Sequence, residues 1–390
     1  MRGYHERLPF PTMPTESPVV PVTPSVPVKT VAGRAPTGVV FLNLGGPATL
    51  DQVEPFLLAL FDDREIIKLP VQSLLGPWIA KRRAPMVREN YRKIGGGSPI
   101  LMHTRAQAAG LVERLDARFP NNAPHKAYVA FRYVTPTADD ALKQMAADGV
   151  RRAVAFSQYP QFSCTTTGSS LNELWRAEKR LGLEGQFDWS IIDRWPTHPG
   201  FVKAMANTVR DAVARLPEHQ RETATILFSA HSLPLSVIDK GDHYPQEMGA
   251  TVAAVIAELK LRNPYLLSYQ SEVGPVRWLG PSTERVIKEL PMQGVRDVIV
   301  VPIAFTSDHI ETLSELDLEY GELAKHAGYR NYIRAAALND RPDFLDALGD
   351  IVADHLISGE RASVRYALKC PGCTNVGCRT MPKRVAVTAG

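Results

Sequence analysis

The sequence has little cysteine, no strong charge of one sign and no long apolar run. Four cysteines in 390 residues are too few for a disulfide scaffold, so we expect a reducing compartment and another role for the thiols. The net charge is only +4, and no run of five or more Lys or Arg is present, which argues against nucleic acid as a partner. No apolar stretch reaches the roughly 18 residues that span a bilayer, so any membrane contact should be peripheral.

Residues 1–36 contain eight of the 31 prolines and show neither helical nor alternating apolar periodicity. This composition predicts a disordered tail with polyproline character. The segment lacks the apolar core of a secretory signal, and Glu6 and Glu16 do not suit an acid-poor transit peptide. We therefore expect a cytoplasmic protein whose tail is not needed for its chemistry.

From residue 37 onward, short apolar runs alternate with longer amphipathic stretches. The runs are typical of strands buried on both faces: GVVFLNL (38–44), AYVAFRYV (127–134), RAVAFS (152–157), ATILFSA (224–230), YLLSYQ (265–270) and DVIVVPIAF (297–305). Helical periodicity marks TLDQVEPFLLALF, TADDALKQMAADG, FVKAMANTVRDAVARL and EMGATVAAVIAELK. This alternation predicts an α/β protein with helices on both faces of parallel sheets, and the length fits two doubly wound sheets.

Polar residues are concentrated just after the predicted strands. They are Asn43 to Pro47, Arg132 and Tyr133, Gln158 to Cys164, His231 to Pro234, and Asp308 to Glu311. In open parallel sheets the ligand binds beyond the carboxyl ends of the strands. The sequence therefore predicts a polar cleft at this edge.

Three cysteines lie together near the C-terminus. Cys370, Cys373 and Cys378 have the spacing C-x2-C-x4-C, which suits a soft metal ion or an iron-sulfur cluster. Cys164 is the only other thiol, so a site of four thiolates would need it as the fourth ligand. On spacing alone, structural zinc and a [2Fe-2S] cluster are equally consistent, and unligated thiols are the remaining alternative.

His231 and the segment from Asp308 to Glu315 are candidates for acid-base chemistry. Glu311 and Glu315 are four residues apart, which places both carboxylates on one face of a helix. If His231 and Glu311 face each other across a cleft, they supply a base near neutral pH and a carboxylate that takes the proton onward or holds a cation. The alternatives are a loop histidine and a capped helix with a solvated acidic face.

Two glycine-containing loops and one apolar-basic stretch are further candidates for ligand binding. The loop from Gly95 to Pro99 lacks the Lys and Ser/Thr of a P-loop, and Gly45-Gly46-Pro47 is not a dinucleotide fingerprint, so nucleotide binding is disfavoured. The stretch LLGPWIAKRR, residues 74–83, combines apolar side chains with a basic triplet. It suits either a flat apolar ligand with carboxylate tails or an anionic lipid surface, unless it is an ordinary core helix.

The motifs together resemble the ferrochelatase family over about residues 38–380. They are LNLGGP, KRRAPMVRENYRKIGGGSPI, AFRYV, QYPQFSCTTTGSSLNELWR, DRWPTH, FSAHSLPLSVIDKGDHYPQE, SYQSEVGPVRWLGPSTE and PIAFTSDHIETLSELDLEY. The resemblance implies insertion of Fe2+ into protoporphyrin IX to form haem, with the porphyrin between two doubly wound α/β domains. The terminal CPGCTNVGC and Cys164 resemble the subgroup that carries a [2Fe-2S] cluster, which favours the cluster over zinc.

The resemblance also implies roles for single residues. The implied catalytic set is His231, Glu311, His198, Asp350, His309 and Glu315, with His231 and Glu311 taking pyrrole protons or binding the substrate Fe2+. The implied porphyrin contacts are Arg83, Tyr91, Ser98, Leu44, Arg132, Tyr133, Trp278 and Phe305. Met86 stands where animal members are expected to have lysine, so one propionate contact is not carried over.

We expect a tail over residues 1–36, an N-terminal domain over 37–190, a second domain over 191–358 and a cluster-binding extension over 359–390. A homodimer in peripheral contact with the inner face of a membrane is the expected assembly. Rival functions are a chelatase for coproporphyrin or another tetrapyrrole, a non-catalytic porphyrin or haem carrier, and an iron-sulfur redox protein.

Overall fold

The computed structural model describes residues 35–120 and 123–382. Residues 1–34 of the predicted disordered tail and residues 383–390 of the predicted extension lie outside the described residues. The described chain contains two sheets of four parallel strands each. The prediction of a doubly wound α/β fold is therefore confirmed.

The first sheet has the order β2-β1-β3-β4 and the second has the order β6-β5-β7-β8. The strands are β1 Thr37–Asn43, β2 His125–Phe131, β3 Arg152–Ser157, β4 Asp188–Ile192, β5 Thr225–His231, β6 Tyr265–Gln270, β7 Asp297–Pro302 and β8 Asn331–Arg334. The central strands β1, β3, β5 and β7 are almost wholly buried, as their apolar runs predict.

The helices that cover the sheets are α1 Val53–Asp62, α2 Gln72–Lys93, α3 Ile100–Arg118, α4 Ala138–Ala147, α5 Ser169–Arg180, α6 Pro199–Ala214, α7 Glu218–Arg221, α8 Leu235–Ile238, α9 Tyr244–Leu259, α10 Thr283–Glu289, α11 Tyr320–Ala327 and α12 Pro342–Ser358. Short 3-10 turns occur at Leu50–Gln52, Leu290–Gln293 and Val364–Ala367. Two segments, Cys164–Gly168 and Glu311–Glu319, are π-helical. All four stretches with helical periodicity form helices.

Six of the eight strands correspond to the apolar runs, and the outer strands β4 and β8 were missed. The sequence of β4 interrupts its apolar residues with a serine, and β8 has only four half-buried residues, so neither forms an apolar run. The predicted second and sixth strands are also too long, since β2 ends at Phe131 and β7 at Pro302. The predicted boundary between residues 190 and 191 falls inside β4, and the division into domains stays a prediction.

One continuous hydrophobic core joins the two sheets. It includes Val39 and Phe41 of β1 together with Ile226 and Phe228 of β5. The last long helix, α12, packs against both α3 and α6, so the C-terminal part of the second half returns to the first half. The shared core and α12 thereby hold the two sheets in fixed positions relative to each other. A cleft between the sheets requires this.

The extension after α12 is attached by a buried tyrosine and by a hydrogen bond to a carboxylate. Tyr366 is almost fully buried and packs into the core on the outer face of the first sheet. Ser363 donates through its hydroxyl to the carboxylate of Asp193. Within the described ranges, the search for a helix long and apolar enough to cross a membrane found none.

Candidate functional site

His231 is the last residue of β5, and its ring is held in one tautomer. Nδ1 lies 2.6 Å from the main-chain oxygen of Ser232. A carbonyl oxygen only accepts, so Nδ1 carries the proton and donates it to this bond. In the neutral ring, Nε2 is therefore the free acceptor. The end of β5 thus presents a ring nitrogen with a free lone pair.

Phe305 lies between His231 and a second histidine. Its ring centroid is 6.4 Å from that of His231 and 4.4 Å from that of His309, both in edge-to-face geometry. Nε2 of His309 is 3.2 Å from Oε2 of Glu311. The imidazole of His309 and the carboxylate of Glu311 are therefore in direct contact. The structure therefore brings together four predicted site residues in the order His231, Phe305, His309 and Glu311.

Glu311 begins the π-helix Glu311–Glu319, where the wider turn departs from the α-helix that we expected. The two candidate carboxylates of this segment, Glu311 and Glu315, have different partners. Glu315 accepts from the Gln270 side chain at 2.9 Å, from the Ser271 main chain at 2.8 Å, from the Ser271 hydroxyl and from the Tyr320 hydroxyl at 2.8 Å. Glu315 is thus saturated with donors, whereas His309 is the partner found for Glu311.

Asp308 fixes the start of the π-helix. Its carboxylate accepts from the Thr312 hydroxyl at 2.9 Å and from the Asn339 side chain at 2.7 Å, and it forms an ion pair with Arg334 at 3.1 Å. Gln107 of α3 donates to Ser307 at 2.9 Å, so the first half of the chain also holds this loop. These contacts fix the position of Glu311 from both halves.

Residues of the first half face Glu311. Burial, followed by the negative charge of Glu311, raises the pKa of Tyr91 on α2. The pKa of Tyr159, after β3, is also raised by burial and, in part, by Glu311. The Tyr159 hydroxyl donates to Asn43 at 3.0 Å and accepts from the Leu44 main chain at 2.9 Å. The carboxyl ends of β1 and β3 therefore lie across the cleft from the second half.

The helix α2, which carries Tyr91, combines apolar with basic side chains. Leu74 and Trp78 are exposed, at 70% and 58%, which favours a ligand or lipid surface over a core helix. Arg83 is half-buried 5.9 Å above the ring of Phe61, and burial lowers its pKa. Among the described residues, no carboxylate pairs with Arg83. It is therefore an available cation at the mouth of the cleft.

Three further residues with an implied porphyrin contact have mainly local partners. Ser98 is buried, and its main chain donates to Pro47 at 2.7 Å, which closes the glycine loop onto the end of β1. Leu44 follows β1 directly and is partly exposed. Trp278 is partly exposed and donates to the main chain of Val273 at 3.1 Å.

Arg132 and Tyr133 share the acceptor Asp63 at the end of α1. Arg132 donates to Asp63 at 2.5 Å and to Glu173 of α5 at 3.3 Å, and Tyr133 donates to Asp63 at 2.6 Å. The Arg132 and Asp63 side chains are 10% and 9% exposed, so this is a buried ion pair. These bonds join α1 to α5 and leave Arg132 with two carboxylate partners.

His198 and Asp350 lie apart from the central group. Nε2 of His198 is 3.5 Å from Asp354 of α12, and Asp350 pairs with Arg118 of α3. Within the described ranges, neither has a hydrogen bond or ion pair to His231, His309 or Glu311. The structure thus brings together four of the six residues of the implied catalytic set and places these two at the junction of α12 with α3 and α6.

All four cysteines line one cavity. It has a volume of about 40 Å3 and is also lined by Val237, Lys240, Asp242 and Lys369. Arg379 donates to the sulfur of Cys370 at 3.5 Å. Three cationic side chains around four thiols suit an occupant with net negative charge, such as a cluster with four thiolate ligands.

Burial favours the neutral form of Cys164 and Cys378 in the absence of a metal. Burial, followed by Asp242, raises the pKa of Cys164, and burial raises that of Cys378 to about 11. A bound metal reverses this balance, because metal ligation deprotonates thiols. Over residues 35–120 and 123–382, no group of three or more His, Cys, Asp or Glu side chains has an arrangement that could hold a metal ion. The cavity therefore assembles the donors but not their final coordination geometry.

Several functional partners were missed by sequence reasoning. They are Asp63, Gln107, Asp242, Tyr244, Gln270, Ser271 and Tyr320. Gln270 ends the predicted fifth strand, and its position at a strand end was a usable signal. The others depend on contacts between segments that are distant along the chain, and no local pattern marks them.

Comparisons with known proteins indicate the family and the fold of this chain. The family model Ferrochelatase matches residues 36–356. Mitochondrial ferrochelatase of Bos taurus is 52% identical over 344 residues, which cover 88% of this chain and 83% of that protein. The Drosophila melanogaster enzyme of the same name is 49% identical over 354 residues, with coverages of 90% and 92%. SirB from Bacillus subtilis with Fe3+ has a similar fold, with a TM-score of 0.52, 12% identity and coverages of 84% and 98%.

The expectation of a cytoplasmic protein is wrong. The relatives from Bos taurus, Drosophila melanogaster and Schizosaccharomyces pombe all have the name mitochondrial ferrochelatase. The expectation relied on only Glu6 and Glu16 against a transit peptide. Two carboxylates are too weak a signal to decide the destination of a protein.

Proposed function

Since this chain belongs to the ferrochelatase family and is an enzyme that inserts Fe2+ into protoporphyrin IX in haem synthesis, we propose that His231 takes up the pyrrole protons. The proposal rests on one observation. Because the Ser232 carbonyl fixes the proton on Nδ1, Nε2 of the neutral His231 ring is left as the acceptor at the end of β5. A neutral imidazole is a suitable base near pH 7.

The reaction replaces two N–H bonds of the porphyrin with bonds from nitrogen to Fe2+, and two protons leave. His231 accepts at Nε2, and the pair formed by His309 and Glu311 lies beyond Phe305. Among the described residues, the Glu311 carboxylate pairs with His309 alone, and so it keeps acceptor capacity for a proton or for the incoming cation. Glu315, with four donors, instead provides a fixed negative charge.

The cleft binds and orients the macrocycle. Arg83 is placed to pair with a propionate, while Leu44, Phe305 and Trp278 supply apolar and aromatic surface. A planar macrocycle shields its nitrogen lone pairs, and a cleft that binds the ring in a puckered form exposes them. Tyr91 and Ser98 are proposed as further propionate contacts. Arg132 and Tyr133 shape the far wall through their bonds to Asp63, and His198 and Asp350 are proposed to act where α12 meets α3 and α6.

The variant His231→Ala tests the role of the base. Iron insertion should fall about 100-fold or more, since a positioned general base contributes at least that much. Porphyrin affinity, measured by fluorescence quenching, should stay within about twofold of the parent chain. Anaerobic incubation with Fe2+ and each porphyrin, followed by the Soret band, measures the rate. His326→Ala, at an exposed histidine, is the matched control. Full activity of His231→Ala would place the base elsewhere.

We also propose that Cys164, Cys370, Cys373 and Cys378 hold a [2Fe-2S] cluster. The common cavity and its three cationic neighbours support this assignment. When bound, the cluster supplies a redox-active cross-link. The chain's own contribution is to bring the extension, through Tyr366 and Ser363, against the body that carries Cys164.

The variant Cys373→Ser tests the cluster. It should give colourless protein of lower thermal stability, because ligation of a cross-linking group contributes to folding. Thr374→Ser, at the next residue, is the matched control and should keep the colour. If Cys373→Ser retained the absorbance of a [2Fe-2S] chromophore, this ligand assignment would be wrong.

Location and assembly are proposed on different grounds. The names of the relatives favour the mitochondrion. The exposed apolar side chains of α2, beside Lys81 and Arg82, favour peripheral contact with an anionic membrane surface. A homodimer is supported by the family resemblance alone, and sedimentation of the purified protein tests it.

A further inference from the structure

The turn from Lys240 to Asp242 connects the cysteine cavity with the catalytic strand end. On its outer side it contacts the loop that carries Cys370 and Cys373. The main chain of Gly372 donates to Lys240 at 3.0 Å. A Cβ atom on Gly241 would lie only 2.5 Å from Pro371. The turn and the cysteine loop are therefore in direct packing contact.

Asp242 is the central acceptor of this connection. Its side chain is buried, and Oδ2 accepts from the main chain of Cys164 at 2.7 Å and from the Ser163 hydroxyl at 3.1 Å. Oδ1 accepts from the main chain of Tyr244 at 3.0 Å. One buried carboxylate thus holds both a cysteine of the cavity and the first residue of α9.

Tyr244 continues the connection to His231. Its hydroxyl donates to the main-chain oxygen of His231 at 3.0 Å, and its ring is 5% exposed within the shared core. A buried tyrosine with a hydrogen-bonded hydroxyl has little freedom to move. The position of Tyr244 therefore determines where the end of β5 lies.

We propose that Tyr244 is a positioning residue for His231 and that Asp242 transmits the state of the cysteine cavity to it. The proposal rests on the function proposed above for His231 and for the cluster. Loss of the cluster from the cysteine cavity frees the loop that carries Cys370 and Cys373. The movement of this loop displaces the turn from Lys240 to Asp242. Tyr244 then shifts with the N-terminus of α9, and the His231 ring moves relative to the bound porphyrin.

The variant Tyr244→Phe removes the final bond and leaves the ring in place. We expect kcat to fall about fivefold to tenfold, the effect of losing one buried hydrogen bond that orients a reacting group. The KM for porphyrin should stay within about twofold, because the walls of the cleft are unchanged. Tyr269→Phe is the matched control, since Tyr269 is buried in the same core and has no hydrogen bond to His231 among the described residues. It should keep the parental kcat.

A spectroscopic measurement tests the connection without activity. The 13Cε1 signal of His231, assigned with His231→Ala, is recorded for the holoprotein and after removal of the cluster with a chelator. The signal should move in the parent chain and in Tyr269→Phe but stay in place in Tyr244→Phe. A signal that moves in all three chains, or in none, would overturn the proposal.

Different results would refute the cluster assignment and the positioning role of Tyr244. A parent chain that is colourless as purified would refute the cluster and, with it, the transmission through Asp242. The comparison of kcat between Tyr244→Phe and Tyr269→Phe would still decide whether Tyr244 positions His231. Equal kcat in these two variants would refute that role even in a chain that carries the cluster.

Discussion

Protonation of His355 on α12 is expected to destabilise the fold below neutral pH. Burial, followed by the positive charge of Arg152, lowers the pKa of His355 from its ordinary value of 6.5 to about 4. Nε2 of this ring is buried without a hydrogen-bond partner within the described ranges. The folded chain therefore favours the neutral ring.

The sign follows from proton binding in the two states. Between pH 6.5 and pH 4 the unfolded chain binds the proton and the folded chain does not, so stability falls as the pH falls through this window. For one group with these two pKa values, the loss between pH 7 and pH 5 is at most about 2 kcal/mol. Because part of the ring is near solvent, we expect a loss between about 1 and 2 kcal/mol.

Urea unfolding at pH 7 and pH 5, followed by tryptophan fluorescence, measures this loss. His355→Gln should lose about 1 to 2 kcal/mol less than the parent chain between these pH values. His326→Gln, at an exposed histidine, is the matched control and should behave like the parent chain. If parent and His355→Gln lost the same free energy of unfolding, the low pKa would be refuted.

Three other substitutions have expected outcomes. Arg83→Ala should raise the KM for porphyrin about tenfold with little change in kcat, and Arg82→Ala, at an exposed neighbour, should not; equal KM values would exclude a propionate contact. Glu311→Gln should slow iron insertion about tenfold or more, and an unchanged rate would exclude this carboxylate from the path. Gly241→Ala should release the extension and speed its proteolysis, because its Cβ would lie 2.5 Å from Pro371. Gly294→Ala is the control, since Gly294 has a similar positive φ and nothing within 4 Å of its Cβ; equal proteolysis of the two variants would argue against the contact.

The buried central strands could be predicted because both of their faces are apolar. The strands β4 and β8 could not, since β4 interrupts its apolar run with a polar residue and β8 is short and half-buried. The position of His231 was also predictable, because a strand end in a parallel sheet points to the ligand site. Its tautomer was not, since that depends on the main-chain oxygen of Ser232.

The π-helical form of Glu311–Glu319 and the partners of Glu315 could not be predicted from the sequence pattern. A spacing of four residues predicts a shared face in an α-helix, and it does not reveal that the segment forms a π-helix. The donors to Glu315 are Gln270 at the end of β6, Ser271 directly after β6, and Tyr320 at the start of α11. The most distant of them, Gln270, is 45 positions away along the chain. Asp63, one of the two carboxylate partners of Arg132, is 69 positions away at the end of α1. Such pairings are decided by tertiary packing and leave no local signal.

The helix α12 supplies contacts to α3 and α6 at the end of a core that begins in β1. During synthesis, about 340 residues that precede α12 emerge before this core can close, so the faces of α3 and α6 that α12 covers stay exposed to water until then. Chains that terminate before α12 should therefore be substrates of chaperones and proteases, although they contain His231, His309 and Glu311. Biosynthesis of this enzyme depends on its last helix as much as its chemistry depends on the strand ends.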